Sequence, residues 1–287
     1  MGSIFAHRLS NLPGLYAVIG DPIAHSMSPN IHNALFENLN IDAKYEAIQI
    51  AKGQLREEIP SLLGRGCRGF NVTIPHKVDI ISLLDELDPL AERIGAVNTV
   101  LVNNHKLIGY NTDGPGFLES LKQFDKLNIN DAKVLIIGSG GAARAIVMTL
   151  AMNGGAKLTI ANRTLSKAQE LLMHSKTSGR AITLDEAESC LAQYDVIINT
   201  TSIGMSPQRD KTPLKLQNVK KDAYVCDIIY NPLQTLLLEE AKAKGCYVQN
   251  GVPMFIRQAA LAFKLWTGRN PDLNQMNNIV YQNMLKK

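Results

Sequence analysis

The stretch KVLIIGSGGAARAIVMTLAMNGGAKLTIANRTLSK, residues 133–167, decides how the second half of this chain folds. It opens with an apolar, partly β-branched run that a glycine ends, which predicts a strand buried on both faces. Gly138, Gly140 and Ala143 follow with the spacing G-x-G-x-x-A, and apolar residues then recur at three- and four-residue intervals, as in a helix. Glycines end that helix, and residues 158–160 predict the next strand.

This motif has the physical features of a dinucleotide-binding turn. Gly138 permits a tight turn, Gly140 leaves the backbone open to a pyrophosphate, and Ala143 lets the helix pack close to the strand. The N-terminus of the helix offers free N–H groups and the positive end of its dipole to phosphates. The stretch therefore predicts a nucleotide-binding strand–turn–helix–strand unit, with a plain glycine turn in an α/β core as the alternative.

The end of the second strand indicates which dinucleotide is bound. NAD sites usually carry an acidic residue there, and residues 157–165 contain none. Arg163 stands at the tip with Thr164 beside it, and Lys167 lies one helical turn further on. A guanidinium and an ammonium suit a 2′-phosphate. We therefore expect a preference for NADP over NAD; the alternative is a solvated basic start of a helix.

Length and composition limit the class of protein. A chain of 287 residues fits two domains, and 45% apolar and 20% charged residues are ordinary for a soluble globular protein. A net charge of +4 without a long basic block gives no reason to expect a nucleic-acid or membrane partner. The four cysteines form no C-x-x-C pair, and no ligand spacing suggests a metal, so free thiols and no metal are expected. Without a membrane-length apolar run or a signal core, we expect a cytoplasmic enzyme.

In the first half, polar residues stand at the start of a predicted helix. Ser26 and Ser28 precede an apolar helical pattern, and Pro29 suits its first turn. Ser28 suits the N-cap, which would explain it without a ligand. Two hydroxyls at a helix start could also bind a carboxylate.

Polar residues also lie on a strand further on. Residues 69–74 predict a buried strand on which Asn71 and Thr73 share one face, so both need partners or a ligand. Lys77 lies just past the carboxyl end of this strand, where ligands bind in open α/β sheets. A surface lysine is the alternative for Lys77. We expect neighbouring His76, like His25, to lie behind the site or to face solvent.

The remaining pattern alternates between strands and helices. Strands are predicted at 15–19, 45–50, 106–110, 195–200, 223–229 and 247–249, and a turn followed by a strand at 94–102. Helices are predicted at 55–63, 78–90, 117–124, 168–173, 236–244 and 252–266, with a final helix after Pro271. A hairpin turn is predicted at 103–104, and a loose or weakly helical lead-in at 1–14. Alternation in the second half favours a parallel, doubly wound sheet. We expect the last helices to return to the first unit.

Several stretches together resemble the shikimate dehydrogenase family, in order and over nearly the whole chain. They are HSMSP (25–29), NVTIPHK (71–77), GAVNTV (95–100), YNTDG (110–114), GSGGAARA (138–145), NRT (162–164), NTTSIGM (199–205), DIIYNP (227–232) and the region of Gly251 and Gln258. The resemblance implies reduction of 3-dehydroshikimate with NADPH to shikimate, a step toward aromatic amino acids.

The resemblance also implies roles for individual residues. Lys77 and Asp113 would be catalytic, although Asp113 before Gly114 could be a mere turn residue. The implied substrate-binding residues are Ser26, Ser28, Asn71, Thr73, Lys77, Asn98, Asp113, Tyr230 and Gln258. The implied cofactor-binding residues are Gly138, Ser139, Gly140, Gly141, Ala142, Asn162, Arg163, Thr164, Lys167, Thr200, Ser202, Met205, Ile228 and Gly251. Position 228 is often Met in the family, and this chain has Ile.

The predicted fold class is α/β with two domains and a cleft between them. Residues 1–115, with C-terminal helices from about 255 to 287, would form an α/β substrate domain, and residues 116–254 a Rossmann-like NADP-binding domain. The expected partners are small molecules only, with the chain a monomer or homodimer. Two alternatives remain open: a broader quinate/shikimate dehydrogenase able to use NAD, and a non-catalytic NADP-binding protein.

Overall fold

A computed structural model describes residues 13–24, 26–154 and 156–285, so the predicted lead-in up to residue 12 lies outside it. The strands of the described part are β1 (Gly14–Gly20), β2 (Ala43–Gln49), β3 (Cys67–Val72), β4 (Glu86–Leu87), β5 (Thr99–Asn103), β6 (Lys106–Tyr110), β7 (Lys133–Ile137), β8 (Lys157–Ala161), β9 (Gly179–Ile182), β10 (Val196–Asn199), β11 (Tyr224–Asp227) and β12 (Tyr247–Gln249). The α-helices are α1 (Ser28–Asn38), α2 (Leu55–Gly64), α3 (Pro89–Ile94), α4 (Asp113–Ser120), α5 (Gly141–Asn153), α6 (Leu165–Ser175), α7 (Leu184–Ser189), α8 (Leu236–Ala243), α9 (Val252–Thr267) and α10 (Leu273–Leu285).

The chain divides into two compact units. Unit 1 comprises residues 1–112 and 259–287, and unit 2 comprises residues 113–258. The sequence predicted domain limits after residues 115 and 254. The observed limits, after residues 112 and 258, differ from these by three and four residues, respectively. Unit 2 is thus one continuous segment, whereas unit 1 is built from both ends of the chain.

Unit 1 contains a mixed six-stranded sheet in the order β2-β1-β3-β5-β6-β4. β1 runs parallel to β2 and β3, whereas β5 is antiparallel to β3 and β6. The register pairs Asn71 with Thr99 across β3 and β5. This pairing puts polar side chains of neighbouring strands side by side near the end of β3.

The second part of α9, from residue 259, and α10 belong to unit 1, whereas residues 252–258 of α9 belong to unit 2. Trp266 of α9 packs over β3 at Gly69, where any Cβ would overlap the indole ring. Its Nε1 donates to the Val100 carbonyl oxygen at 3.0 Å. On α10, Asn283 accepts a hydrogen bond from Asn30 of α1 at 3.1 Å. Trp266 of α9 therefore covers part of one face of the unit 1 sheet, and α10 packs beside α1.

The helix predicted over residues 78–90 is wrong. The segment forms a 3₁₀ turn at Asp79–Leu83, the short strand β4 and then α3. Pro89 disfavours a helical conformation at the residue before it, and Asp88 is extended, with φ −61° and ψ 142°. Its carboxylate accepts hydrogen bonds from the backbone of Leu90 and Ala91, so Asp88 starts a new helix.

Three other predicted boundaries are also shifted. The hairpin turn lies at Asn104 and His105, which take left-handed φ values of 47° and 66°, and β5 continues through residue 103. β3 ends at Val72, so Thr73 lies beyond the strand. The helix predicted from residue 117 begins at Asp113.

Unit 2 contains the predicted parallel sheet. Its six strands follow the order β12-β11-β10-β7-β8-β9, and every neighbouring pair is parallel. Leu135 and Ile197, on the central strands, are fully buried in the core on one face of this sheet. This arrangement puts the turn after β7 at the middle of the sheet edge, where the strand order reverses. Among the described helices, none is long and apolar enough to cross a bilayer.

Candidate active site

A buried network of polar side chains lies at the end of β3 in unit 1. Asn71 donates from Nδ2 to the Asn98 carbonyl oxygen at 3.1 Å and to Thr99 Oγ1 at 3.0 Å. Asn98 donates from its own Nδ2 to Thr112 Oγ1 at 2.9 Å, and its Oδ1 accepts from the Thr112 backbone N–H at 2.8 Å. Because these buried groups have partners, the network can stay buried and rigid.

The start of α1 presents Ser26 and Ser28. Met27 occupies the N-cap and Ser28 is the first helical residue, so the prediction of Ser28 as the N-cap is wrong. The helical backbone of Met27 begins the helix one residue early. Ser26 Oγ instead accepts from the Ser28 N–H at 3.3 Å. The buried Ser28 hydroxyl is therefore not used for capping.

Lys77 stands on a short turn that backbone hydrogen bonds hold in place. The N–H of Thr73 donates to the Ile19 carbonyl oxygen at 3.0 Å, and the N–H of Val97 donates to the Lys77 carbonyl oxygen at 2.8 Å. These bonds tie the turn to the end of β1 and to the segment before β5. Lys77 thus projects from a fixed backbone at the carboxyl end of β3, where the sequence predicted it.

The neighbouring His76 does not face solvent. Its side chain is fully buried, and its Nε2 lies 2.6 Å from the Ile50 carbonyl oxygen. The structure therefore places His76 behind the ends of the strands, which is one of the two positions expected from the sequence. The expectation for His25 lies outside the described residues.

In unit 2 the glycine turn after β7 has the geometry that the motif requires. Gly138 takes a φ of +109°, and a Cβ there would lie 2.7 Å from Thr200 Oγ1. Gly140 is the N-cap of α5, and neither Gly140 nor Gly141 has a heavy atom within 4 Å of where a Cβ would be. Ala143 is fully buried against the sheet. The N-terminus of a 13-residue helix therefore opens onto free space, which suits a pyrophosphate.

The tip of β8 carries exposed basic side chains. Arg163 and Lys167 are both exposed, and Arg163 makes no side-chain hydrogen bond or ion pair among the described residues. Asn162 Nδ2 donates to the Thr164 carbonyl oxygen at 2.8 Å, which shapes the turn. Thr164 is the N-cap of α6, but its side chain caps no N–H. These donors fit a phosphate group.

Asn199, at the end of β10, organises the next loop of the sheet edge. Its Oδ1 accepts from the N–H and hydroxyl of Thr201 at 3.0 and 2.7 Å, and its Nδ2 donates to Asp227 Oδ1 at 3.1 Å. Thr200 donates from its hydroxyl to the Ile137 carbonyl oxygen at 2.6 Å. The Thr200 hydroxyl therefore joins β10 to β7. Ser202 and Met205, further along, are exposed.

Two glycines allow close backbone contacts next to the predicted site residues Gln258 and Ile228. A Cβ at Gly116 of α4 would lie 2.7 Å from the backbone nitrogen of Gln258, so α4 and α9 pack tightly one turn after Asp113. A Cβ at Gly251 would overlap the Ile228 carbonyl oxygen, and the Gly251 N–H donates to the Ile229 carbonyl oxygen at 2.8 Å. Packing alone is thus sufficient to explain glycine at 251.

Tyr230 packs against the start of α9. Its ring stacks on Phe255 with centroids 5.0 Å apart, and burial raises the pKa of its hydroxyl. Gln258 Nε2 donates to the Phe255 carbonyl oxygen at 2.9 Å. Phe255 therefore links Tyr230 and Gln258.

Family models match three segments of the chain. The shikimate dehydrogenase substrate binding domain matches residues 18–100, shikimate / quinate 5-dehydrogenase matches residues 119–229, and the shikimate 5′-dehydrogenase C-terminal domain matches residues 251–281. A Bacillus licheniformis protein named shikimate dehydrogenase (NADP(+)) is 48% identical over 270 residues, covering 94% of this chain and 97% of that protein. The chain belongs to the shikimate dehydrogenase family.

Other members of the shikimate dehydrogenase family also match over nearly the whole chain. A Bacillus subtilis protein with the same name is 48% identical over 271 residues, covering 93% of this chain and 96% of that protein. The crystal structure of the Thermus thermophilus enzyme in complex with NADP(H) and shikimate has a TM-score of 0.86 and 37% identity, and covers 94% of this chain and 99% of that one. These matches agree with the two-domain α/β fold.

The residues that resemble the shikimate dehydrogenase motifs divide between the units. Unit 1 holds Ser26, Ser28, Asn71, Thr73, Lys77 and Asn98, and unit 2 holds Asp113, Tyr230, Gln258 and every predicted cofactor residue. Asp113 and Gln258 thus fall in unit 2, whereas the domain limits expected from the sequence put them with the substrate domain.

Sequence reasoning missed Tyr45, the centre of the unit 1 network. Its hydroxyl donates to Asn71 Oδ1 at 2.6 Å. An aromatic residue in a strand is typical of a core, so Tyr45 carries no local signal of a polar role. Thr99 and Thr112 were inside quoted motifs, but only the register of β3 and β5 and the turn after β6 bring them to Asn71 and Asn98.

Proposed function

We propose that this chain is an NADP-dependent shikimate dehydrogenase, which interconverts 3-dehydroshikimate and shikimate. The observation that carries the proposal is the match, over 94% of the chain, to an enzyme whose structure holds NADP(H) and shikimate. The open glycine turn and the acid-free, arginine-tipped end of β8 support the choice of cofactor.

NADPH would bind at the sheet edge of unit 2 and, when bound, supplies the hydride. The open backbone of Gly140 and Gly141 at the start of α5 suits the pyrophosphate. Arg163 and Lys167, with Thr164, would receive the 2′-phosphate. Residues 200–205, Ile228 and Gly251 would lie along the rest of the cofactor.

The substrate is an acid with several hydroxyls, and the polar residues suit both features. Ser26 and Ser28 would hold the carboxylate at the start of α1, helped by Tyr230. Asn71, Thr73, Asn98, Asp113 and Gln258 would contact the ring hydroxyls and the carbonyl. A site that forms such hydrogen bonds discriminates strongly against analogues that lack a hydroxyl, because its polar groups would then stay unpaired. Apolar contacts discriminate less strongly.

Lys77 and Asp113 would carry the proton chemistry. Reduction of the ring carbonyl builds negative charge on its oxygen, which must be neutralised in the transition state. The Lys77 ammonium can stabilise that charge and donate the proton. Asp113 would hold the ammonium in place and exchange the proton with it. The reverse reaction uses the same pair, with Lys77 taking the proton from the shikimate hydroxyl.

Replacing Lys77 tests this assignment. Lys77→Ala should lower kcat by about 10²- to 10⁴-fold and change the KM for shikimate far less, since the charge it meets develops in the transition state. Lys52→Ala, at an exposed lysine of the same unit, is the control and should be fully active. Full turnover by Lys77→Ala would reject the role of Lys77.

The alternatives are tested by oxidation of shikimate and of quinate, each with NADP and with NAD. Shikimate oxidation with NADP should be much faster than the other three reactions. Comparable rates with quinate or NAD would move the chain to the broader class of quinate/shikimate dehydrogenases. NADPH binding without activity on any of the four pairs would favour a binding protein.

A further inference from the structure

Tyr45 is fixed more firmly than a core tyrosine requires. Its backbone N–H donates to Asn33 Oδ1 at 2.7 Å, and its carbonyl oxygen accepts from Asn33 Nδ2 at 2.9 Å. Its ring stacks on His32 with centroids 4.4 Å apart. Both contacts come from α1, the helix that begins with Ser28, so the phenol is held relative to that serine.

The Tyr45 hydroxyl determines one side of the Asn71 amide. The Asn98 carbonyl can only accept, so the nitrogen of the Asn71 amide must face it, and the oxygen must face Tyr45. Tyr45 therefore donates to Asn71 Oδ1. Both N–H groups of Asn71 are used, on Asn98 and Thr99. The hydrogen-bonding capacity that remains on this amide is a lone pair of Oδ1, which can accept from a hydroxyl.

Burial keeps this donor in its protonated state. It raises the pKa of Tyr45 well above the usual range, whereas a hydrogen bond from the Ser28 side chain lowers it. The phenol therefore keeps its proton across neutral pH and donates it to Asn71.

We propose that Tyr45 is a positioning residue for substrate: its phenol fixes the Asn71 amide so that Asn71 Oδ1 accepts from a ring hydroxyl. This role presupposes the proposed function, because it assigns Asn71 to shikimate. It also defines the direction of one contact, from the substrate hydroxyl to Asn71 Oδ1.

The test is Tyr45→Phe, with Tyr16→Phe as the matched control. Tyr16 pairs with Tyr45 in register on β1 and is also buried, with 5% of its surface exposed against 1% for Tyr45, but its hydroxyl has no hydrogen bond among the described residues. Steady-state kinetics would give kcat and KM for shikimate and for NADP, with melting temperatures for both variants. Tyr45→Phe should raise the KM for shikimate on the order of tenfold and leave the KM for NADP unchanged, whereas Tyr16→Phe should change neither.

The outcomes separate this role from a general structural one. A loss of folded protein lowers the apparent kcat without raising one KM selectively, so equal KM values in both variants would overturn the positioning role. If Tyr45→Phe did not fold, Thr99→Val, which removes another partner of the same amide, would replace it and should raise the shikimate KM several-fold; an unchanged KM would count against the role. Wild-type protein that oxidised no shikimate would instead refute the proposed function itself.

Discussion

Replacing Gly140 by alanine should separate cofactor binding from folding. The residue has a φ of −77°, which alanine adopts without strain, and no heavy atom lies within 4 Å of the added methyl. The change should therefore alter the free energy of unfolding by less than about 1 kcal/mol, because the restriction that alanine puts on the unfolded chain offsets its poorer suitability as an N-cap.

The same methyl would occupy the space through which a pyrophosphate reaches the backbone. Losing one hydrogen bond to a charged group costs about 1.5–3 kcal/mol. At about 1.4 kcal/mol for each factor of ten, the KM for NADP should rise about 10- to 100-fold. The KM for shikimate should not change, since the unit 1 network is untouched.

Two other glycines make the test specific. Gly64 of α2 also has open space around its Cβ position, so Gly64→Ala should affect neither stability nor KM adversely. Gly138→Ala, by contrast, combines a φ of +109° with a contact of 2.7 Å to Thr200 Oγ1, and should unfold more easily. The assay is absorbance of NADPH at saturating shikimate, with urea titration for stability. Wild-type NADP affinity in Gly140→Ala would refute the placement of the pyrophosphate, and a clear loss of stability would refute the backbone argument.

Three further predictions concern charge. Arg163→Ala should raise the KM for NADP on the order of tenfold and leave that for NAD unchanged; equal affinity for NADP in steady-state assays would remove the 2′-phosphate assignment. Burial lowers the pKa of His32 from 6.5 to about 3, so below pH 6.5 the unfolded chain binds a proton that the folded chain does not. Between pH 6.5 and 5.0 the wild type should lose about 2 kcal/mol of unfolding free energy relative to His32→Phe. Urea titration followed by fluorescence of Trp266 measures this, and parallel pH dependences would contradict it. Burial raises the pKa of Asp227 from 3.8 to about 6, so between these values the folded chain keeps a proton that the unfolded chain releases. From pH 4 to 6 unit 2 of the wild type should therefore lose about 2 kcal/mol relative to Asp227→Asn; amide hydrogen exchange in β10 and β11 measures it, and equal slopes would disprove it.

The sequence predicted the elements that local signals specify. The turn at Gly138 needs a left-handed backbone, which only glycine adopts freely, and the apolar runs of β7 and β8 are long enough to be recognised as buried strands. The nucleotide-binding unit was therefore predicted nearly to the residue. Lys77 at the end of β3 follows from the same kind of reasoning, because the strand and its end are both visible in the pattern.

What the sequence could not show depends on distant contacts. Tyr45 and Asn71 are 26 residues apart in the sequence. They meet because their strands, β2 and β3, lie on either side of β1 in the folded sheet. The N-cap of α1 shifted because Met27 adopts a helical backbone, although serine has the better capping chemistry. At residue 88 a local rule was available, since Asp-Pro disfavours helix, and the apolar periodicity over 78–90 concealed it.

The division of the chain has a consequence for the order in which it folds during synthesis. Unit 2 is continuous, so all of its strands are present once residue 258 has left the ribosome. Unit 1 starts first but remains incomplete, because Trp266, which covers Gly69 and binds the Val100 carbonyl, is made only after unit 2. Domains generally fold as units during translation. The nascent chain therefore completes its nucleotide-binding half before the half that carries Lys77, and truncation after residue 258 leaves β3 uncovered.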